Sequence, residues 1–169
     1  RRKDYPLLPE GDTTLDLLEK AGKTVYSIGK IDDIFGHRGI TQGKHTVSNQ
    51  ESSLALLEAL DEDFEGLLFA NLIEFDMIYG HRNDARGYAD ALEAFDRHVP
   101  EIRKRMKATD LAMIVADHGV DPTTLSTDHS REYIPLLVFG PQVTAHTSLG
   151  IRQTFSDVAA TIAELFTLT

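Results

Sequence analysis

The chain contains no cysteine. That excludes disulfides and thiolate metal sites, and leaves oxygen and imidazole donors as the only chemistry for a metal centre. No stretch approaches the roughly 20 apolar residues that a membrane-spanning helix requires, so no membrane partner is expected. A basic leader followed by an apolar run is also missing, which places the expected location in the cytoplasm. Basic residues are scarce, 17 against 27 acidic ones, for a net charge of -10. Nucleic acid is therefore not an expected partner, because its phosphates would meet repulsion. The one basic cluster, Arg103-Lys104-Arg105 with Lys107, falls at the end of a helical pattern, where cations complement the macrodipole. The acidic excess suits neutralisation by bound cations. The chain opens on Arg1 rather than methionine, and its first residues read like the interior of a longer protein.

What is present is the composition of a globular domain, 41% hydrophobic and 26% charged. Four apolar runs read as strands: 24–29, 67–75, 111–116 and 134–139. They are continuous rather than alternating, the pattern of strands buried on both faces of a parallel sheet. Helical patterns lie between them. Thr13–Ala21 sets Leu15, Leu17, Leu18 and Ala21 near one stripe. Asn49 reads as an N-cap for a helix over 50–60. Asp84 reads as the cap of a helix with Tyr88, Ala91, Leu92 and Phe95 inward, and Pro100 interrupts its continuation. Thr154-Phe155-Ser156-Asp157 reads as a capping box before a final helix. Alternation of this kind predicts one α/β domain over 1–169, a layered α/β/α core around a mostly parallel sheet.

In such sheets ligands collect at the carboxyl ends of strands. After the second run come Asp76 and His81, after the third Asp117-His118-Gly119, and eleven residues later His129. Each alone is an ordinary cap or turn residue. Together they supply carboxylate and imidazole from two strand ends and a returning loop. Asp and neutral His suit zinc, manganese or iron better than calcium or magnesium. Five candidate ligands exceed one tetrahedral set and point to two ions sharing a site, the arrangement that clamps a phosphoryl group. His37, His45, His98 and His146 have no carboxylate at a convincing spacing and read as solvated side chains.

Asp117-His118-Gly119, with a later His and an earlier Asp-x4-His, resembles the metal signature of the alkaline phosphatase superfamily. Three segments resemble the phosphopentomutase family within it: Ile28-Gly29-Lys30-Ile31-Asp32-Asp33-Ile34; Phe75-Asp76 through Gly80-His81-Arg82 with Gly87-Tyr88; and Ala116-Asp117-His118-Gly119-Val120-Asp121-Pro122 through Thr127-Asp128-His129-Ser130-Arg131-Glu132. The resemblance implies an alkaline-phosphatase-like fold and an isomerase of pentose phosphates, with ribose 1-phosphate and ribose 5-phosphate, or their deoxy forms, as small-molecule partners. It implies two divalent ions, manganese in the family, with Asp117 and His118 on one and Asp76, His81 and His129 on the other. Lys30 would contact the substrate phosphate, as a point charge suited to phosphate.

The chain departs from the family at Val120, where Asn is usual, and at Ser130, where Thr is usual. The family's threonine nucleophile, one further aspartate ligand and a cap domain precede the matching region, and none is recognisable here. The expectation is therefore the C-terminal part of a catalytic core, inactive by itself. Another phosphatase or phosphoglycerate mutase of the superfamily, and a non-catalytic core fragment, stay open as alternatives. Oligomeric state has no signal in the sequence.

Overall fold

A computed structural model describes residues 7–168. They group into two compact units. Of the described residues, the first comprises 7–46, 62–71 and 148–168, and the second 47–61 and 72–147.

The first unit is built on a three-stranded parallel sheet of order β2-β1-β3. Strand β1 is Thr24–Ile28, β2 is Gln42–Lys44 and β3 is Gly66–Ala70. β1 is central, with Tyr26 opposite Gln42 on one side and Leu68 on the other. Helix α1 (Thr14–Lys20) precedes it and buries Leu15 and Leu18 against Val25. Helix α6 (Ser156–Leu165) and the turn after it add Ile162, Phe166 and Leu168 to the same core. α1 begins with a capping box in which Thr13 and Asp16 bond each other's main chain, an arrangement that holds two otherwise unpaired amide donors. Just past β1, Gly29 takes φ +87°, and a Cβ there would lie 2.7 Å from the carbonyl oxygen of Asn71. Only glycine lets the two strand ends run this close. Helix α2 (Ile31–Ile34) follows at once.

The second unit holds α3 (Asn49–Leu60), α4 (Ala85–Asp96), α5 (Val99–Arg105) and a two-stranded ribbon of β4 (Ala112–Val115) and β5 (Leu136–Phe139). α3 contacts both α4 and α5, burying Ala55, Ala59 and Ile102. Pro100 sits in the first turn of α5, so it starts a new helix where the old one stops. α5 ends on Arg103, Lys104 and Arg105, and Arg105 pairs with Glu101 and Asp61. The basic cluster thus complements a helix terminus, as its position in the sequence predicts.

The α/β architecture and a parallel sheet are as expected, but the four expected strands divide between two described sheets rather than sharing one, and only the β2-β1-β3 sheet is parallel. β4 and β5 are antiparallel, Met113 opposite Val138. The chain passes between them through residues 116–135 without a helix, and a parallel return needs a crossover. β3 stops at Ala70 rather than Phe75, because 75–79 coil into a helix. The N-cap of α3 is Ser48, whose Oγ accepts from the Glu51 amide, and Asn49 is the first helical residue. The capping box expected at Thr154 does not form: Phe155 is the N-cap, and Asp157 pairs with Arg152. No helix among the described residues is long and apolar enough to cross a membrane.

Candidate metal centre

Two short segments of the second unit carry the candidate ligands. The first is a π-helix over Phe75–Tyr79 followed by a 3-10 turn over Gly80–Arg82. Asp76 and His81 are five residues apart. On an α-helix that spacing would set them about 140° apart around the axis. The wider π turn, with its i to i+5 bonding, brings them onto one side. His81 Nε2 lies 3.4 Å from Asp76 Oδ1. The Phe75 ring rests on Tyr88 of α4, centroids 5.2 Å apart. Burial raises the Tyr88 hydroxyl above its ordinary pKa, and the Asp76 charge adds to the rise.

The second segment is the 116–135 connection. Because β4 and β5 are antiparallel, this connection leaves and returns at one end of the ribbon. An isolated bridge then pairs Gly119 with Ser130, the Ser130 amide donating to the Gly119 carbonyl at 2.9 Å. That bridge folds His129 back onto His118, and the two rings stack at 3.6 Å with 17° between planes. His81 also stacks on His129, ring centroids 5.0 Å apart.

Three imidazoles thus surround one carboxylate oxygen. Asp76 Oδ1 is 3.4 Å from His81 Nε2, 3.2 Å from His129 Nε2 and 4.0 Å from His118 Nε2. It is buried and accepts no hydrogen bond from the described residues. A buried carboxylate oxygen without a donor carries a large desolvation penalty, and a cation among these donors removes it. Donor atoms of Asp76, His81 and His129 all lie within 4.8 Å of one another. The residues present therefore fit a divalent ion of the manganese, iron or zinc type.

The ring orientations agree. His81 Nδ1 is 2.5 Å from the Thr127 carbonyl oxygen. A carbonyl only accepts, so Nδ1 carries the proton and Nε2 faces Asp76 as a free donor to metal. His118 Nδ1 likewise lies 3.2 Å from the Gly119 carbonyl, with Nε2 free. Asn83, held at φ +52°, donates its amide to the Thr124 carbonyl at 2.9 Å. His81 and Asn83 together tie the 116–135 connection to the π-helical segment.

Of the residues singled out in the sequence, Asp76, His81, His118 and His129 come together. Asp117 stands beside them with its side chain 78% exposed, its Oδ1 3.6 Å from His118 Nε2. Lys30 opens α2 in the first unit, half-buried, directly after β1 and Gly29. Val120 sits against Gly80, the residue before His81. The Thr127 and Thr124 carbonyls carried no sequence signal, since every residue offers a carbonyl. Two histidines read as solvated have carboxylate neighbours after all: His37 Nδ1 lies 2.7 Å from Asp32, and His45 Nε2 3.7 Å from Asp33. Both carboxylates belong to α2, and the chain over 35–45, which includes β2, brings the histidines back to it.

The chain is 64% identical to a phosphopentomutase of Herpetosiphon aurantiacus over 168 residues, 99% of this chain and 43% of the relative. It is 54% identical to a phosphopentomutase of Caldanaerobacter subterraneus over 98% of this chain and 42% of the relative. The chain thus spans under half the length of these curated relatives. Among solved structures, a Leishmania mexicana phosphoglycerate mutase studied at low cobalt concentration superposes with TM-score 0.69 at 17% identity, covering 92% of this chain and 37% of that one. The PH0037 protein of Pyrococcus horikoshii gives 0.65 at 17% identity, covering 89% and 51%. At that identity the likeness establishes the fold alone. Residues 16–169 match the model of the metalloenzyme superfamily, and the chain belongs to that superfamily.

Proposed function

We propose that this chain is the C-terminal part of the catalytic core of a phosphopentomutase, an isomerase interconverting ribose or deoxyribose 1-phosphate and 5-phosphate in cytoplasmic nucleoside salvage. The observation that supports this most is the convergence of Asp76, His81, His118 and His129 in a chain 64% identical to a phosphopentomutase. Asp76, His81 and His129 would hold one divalent ion, manganese by the family resemblance. Asp117 and His118 would be two of the ligands of another ion, whose remaining ligands would come from outside this chain. Bound there, two such ions neutralise phosphoryl charge and lower the pKa of an attacking hydroxyl.

The chain's own residues supply orientation. Asp76 brings the negative donor, its Oδ1 turned inward among the imidazoles while the rest of the side chain is half-buried. The Thr127 and Gly119 carbonyls hold the Nδ1 atoms of His81 and His118, which leaves both Nε2 atoms facing the site. Lys30 would pair its ammonium with a sugar phosphate. No nucleophile is assigned among these residues, and the phosphate-carrying threonine is placed outside them.

The test is turnover. The full-length protein should convert ribose 1-phosphate to ribose 5-phosphate with manganese and ignore 3-phosphoglycerate. This chain alone should be inactive. His129→Ala should depress turnover strongly, and His98→Ala, between α4 and α5, should change it little. Conversion of 3-phosphoglycerate in place of the pentose would overturn the reading.

A further inference from the structure

A π-helix is rarely self-supporting, so something must hold the one that carries Asp76. Its entry is tied to the first turn of α3 by a reciprocal pair. The Asn49 amide donates to Glu74 Oε2 at 2.6 Å, and the Glu74 amide donates to Asn49 Oδ1 at 3.0 Å. The Asn49 amide is one of the donors that an α-helix leaves unpaired at its start. A carboxylate there is stabilised by both the short charge-assisted bond and the helix dipole. α3 is a firm platform: twelve residues long, with Ser52, Ser53, Ala55 and Ala59 buried. Glu74 immediately precedes the π-helix, and Asp76 lies two residues on.

We propose that Glu74 and Asn49 are positioning residues for the metal centre, fixing the Asp76–His81 segment to α3 without touching metal or substrate. The inference rests on the metal reading above and deepens it. Two bonds closing one ring hold both the direction and the height at which the segment leaves the helix. A single cap would hold neither, since the chain could pivot about it. Glu74 thereby sets where Asp76 Oδ1 sits relative to His129, which arrives on a different segment.

The bland alternative is that the pair only caps α3. The same helix end offers a control. Glu51 Oε2 accepts from the Val47 amide at 3.0 Å, which caps the turn but leads away from the metal segment. Manganese binding to the full chain is measured by titration calorimetry, with far-UV circular dichroism to confirm folding, for wild type, Glu74→Ala, Glu74→Gln, Asn49→Ala and Glu51→Ala. Outer partners of ligands typically govern affinity by about 10–100-fold, and Glu74→Ala and Asn49→Ala should each weaken binding on that scale. Glu74→Gln, which keeps an acceptor oxygen, should recover most of it. Glu51→Ala should lower the melting temperature and leave affinity within about twofold.

Wild-type affinity retained in folded Glu74→Ala overturns the proposal, as does an equal loss in Glu51→Ala. If Glu74→Ala does not fold, Asn49→Ala decides by the same criterion, since it keeps the amide that bonds Glu74. A wild type that binds no manganese has a separate signature, because it fails before any variant is made and takes the metal reading with it.

Discussion

Gly80 is the sharpest steric probe of the metal segment. It has ordinary right-handed helical angles, φ -64° and ψ -62°, so alanine there meets no backbone strain. Propensity alone favours Ala over Gly by roughly 1 kcal/mol. The packing predicts the opposite sign. A Cβ on Gly80 would lie 2.7 Å from Val120 Cγ2 and 3.1 Å from the Phe75 carbonyl oxygen. Carbon atoms rest at about 3.5–4.0 Å, so the turn and Val120 must part by about 1 Å. Neither side yields easily. Val120 follows Gly119, which is bonded to Ser130, and Gly80 begins the turn whose His81 ring is held by Thr127. Overpacking of this kind costs about 1–3 kcal/mol. For a chain of this length that is roughly 2–4 °C of melting temperature per kcal/mol. The displaced group is His81, and about 1 Å of misplacement at a functional site can cost on the order of 100-fold. Gly80→Ala should therefore lose both stability and manganese affinity. Val120→Ala removes the obstructing methyl, so the double variant should be more stable than the sum of the singles predicts, by about 0.5–3 kcal/mol. Thermal melts and manganese titrations of the four proteins complete the cycle. If Gly80→Ala melts at or above wild type, or the two changes add within about 0.5 kcal/mol, the packing account is wrong.

Leu18 is fully buried against Leu15 and Val25, and Leu18→Ala should cost about 2–5 kcal/mol in urea unfolding, whereas exposed Leu125→Ala should cost almost nothing. Burial opposes ionisation of Asp16, but bonds from the Thr13 amide and hydroxyl, with Arg38 nearby, hold its pKa below the ordinary 3.8. The stability this gives is present above that ordinary value and lost as pH falls through the lower folded one, so Thr13→Ala should shrink the acid dependence of unfolding. The hydrogen bond and charge of Asp32 raise His37 above its ordinary 6.5. Any stability from that pair is full below 6.5 and lost as pH rises through the folded value; proton NMR should give a midpoint above 6.5 that Asp32→Asn returns toward it.

Strand positions were legible where side chains carry the information. Thr24–Ile28 and Ala112–Val115 are apolar stretches, and both fold as strands. Gln42–Lys44 is a strand of three exposed residues, two polar and one glycine, held by the main chain of β1 rather than by its own pattern, so composition could not mark it. The end of β3 was misjudged for a related reason. Phe75-Asp76-Met77-Ile78 has the apolar content of a strand, yet its place is decided by Tyr88 packing and by the Asn49–Glu74 pair, whose partners are 25 residues apart. The orientation of β5 was hidden in a negative feature, the lack of a helix between 116 and 135.

The candidate site divides along the same line. Its donors could be read because carboxylate and imidazole are identities, and identities are written in the sequence. What converts them into a centre is mostly backbone. The Thr127 and Gly119 carbonyls choose the tautomers of His81 and His118, the Gly119–Ser130 bridge returns His129, and a π turn aligns a five-residue spacing that an α-helix would split. Those groups exist at every residue, so no residue type announces them. It follows that changes at positions which donate nothing to a metal, such as Gly80, Glu74 or Asn49, should move affinity through geometry alone. A ligand substitution removes a donor at its point of contact. These substitutions leave every donor in place and change only where it stands, which is why they test the folded arrangement and not the composition of the site.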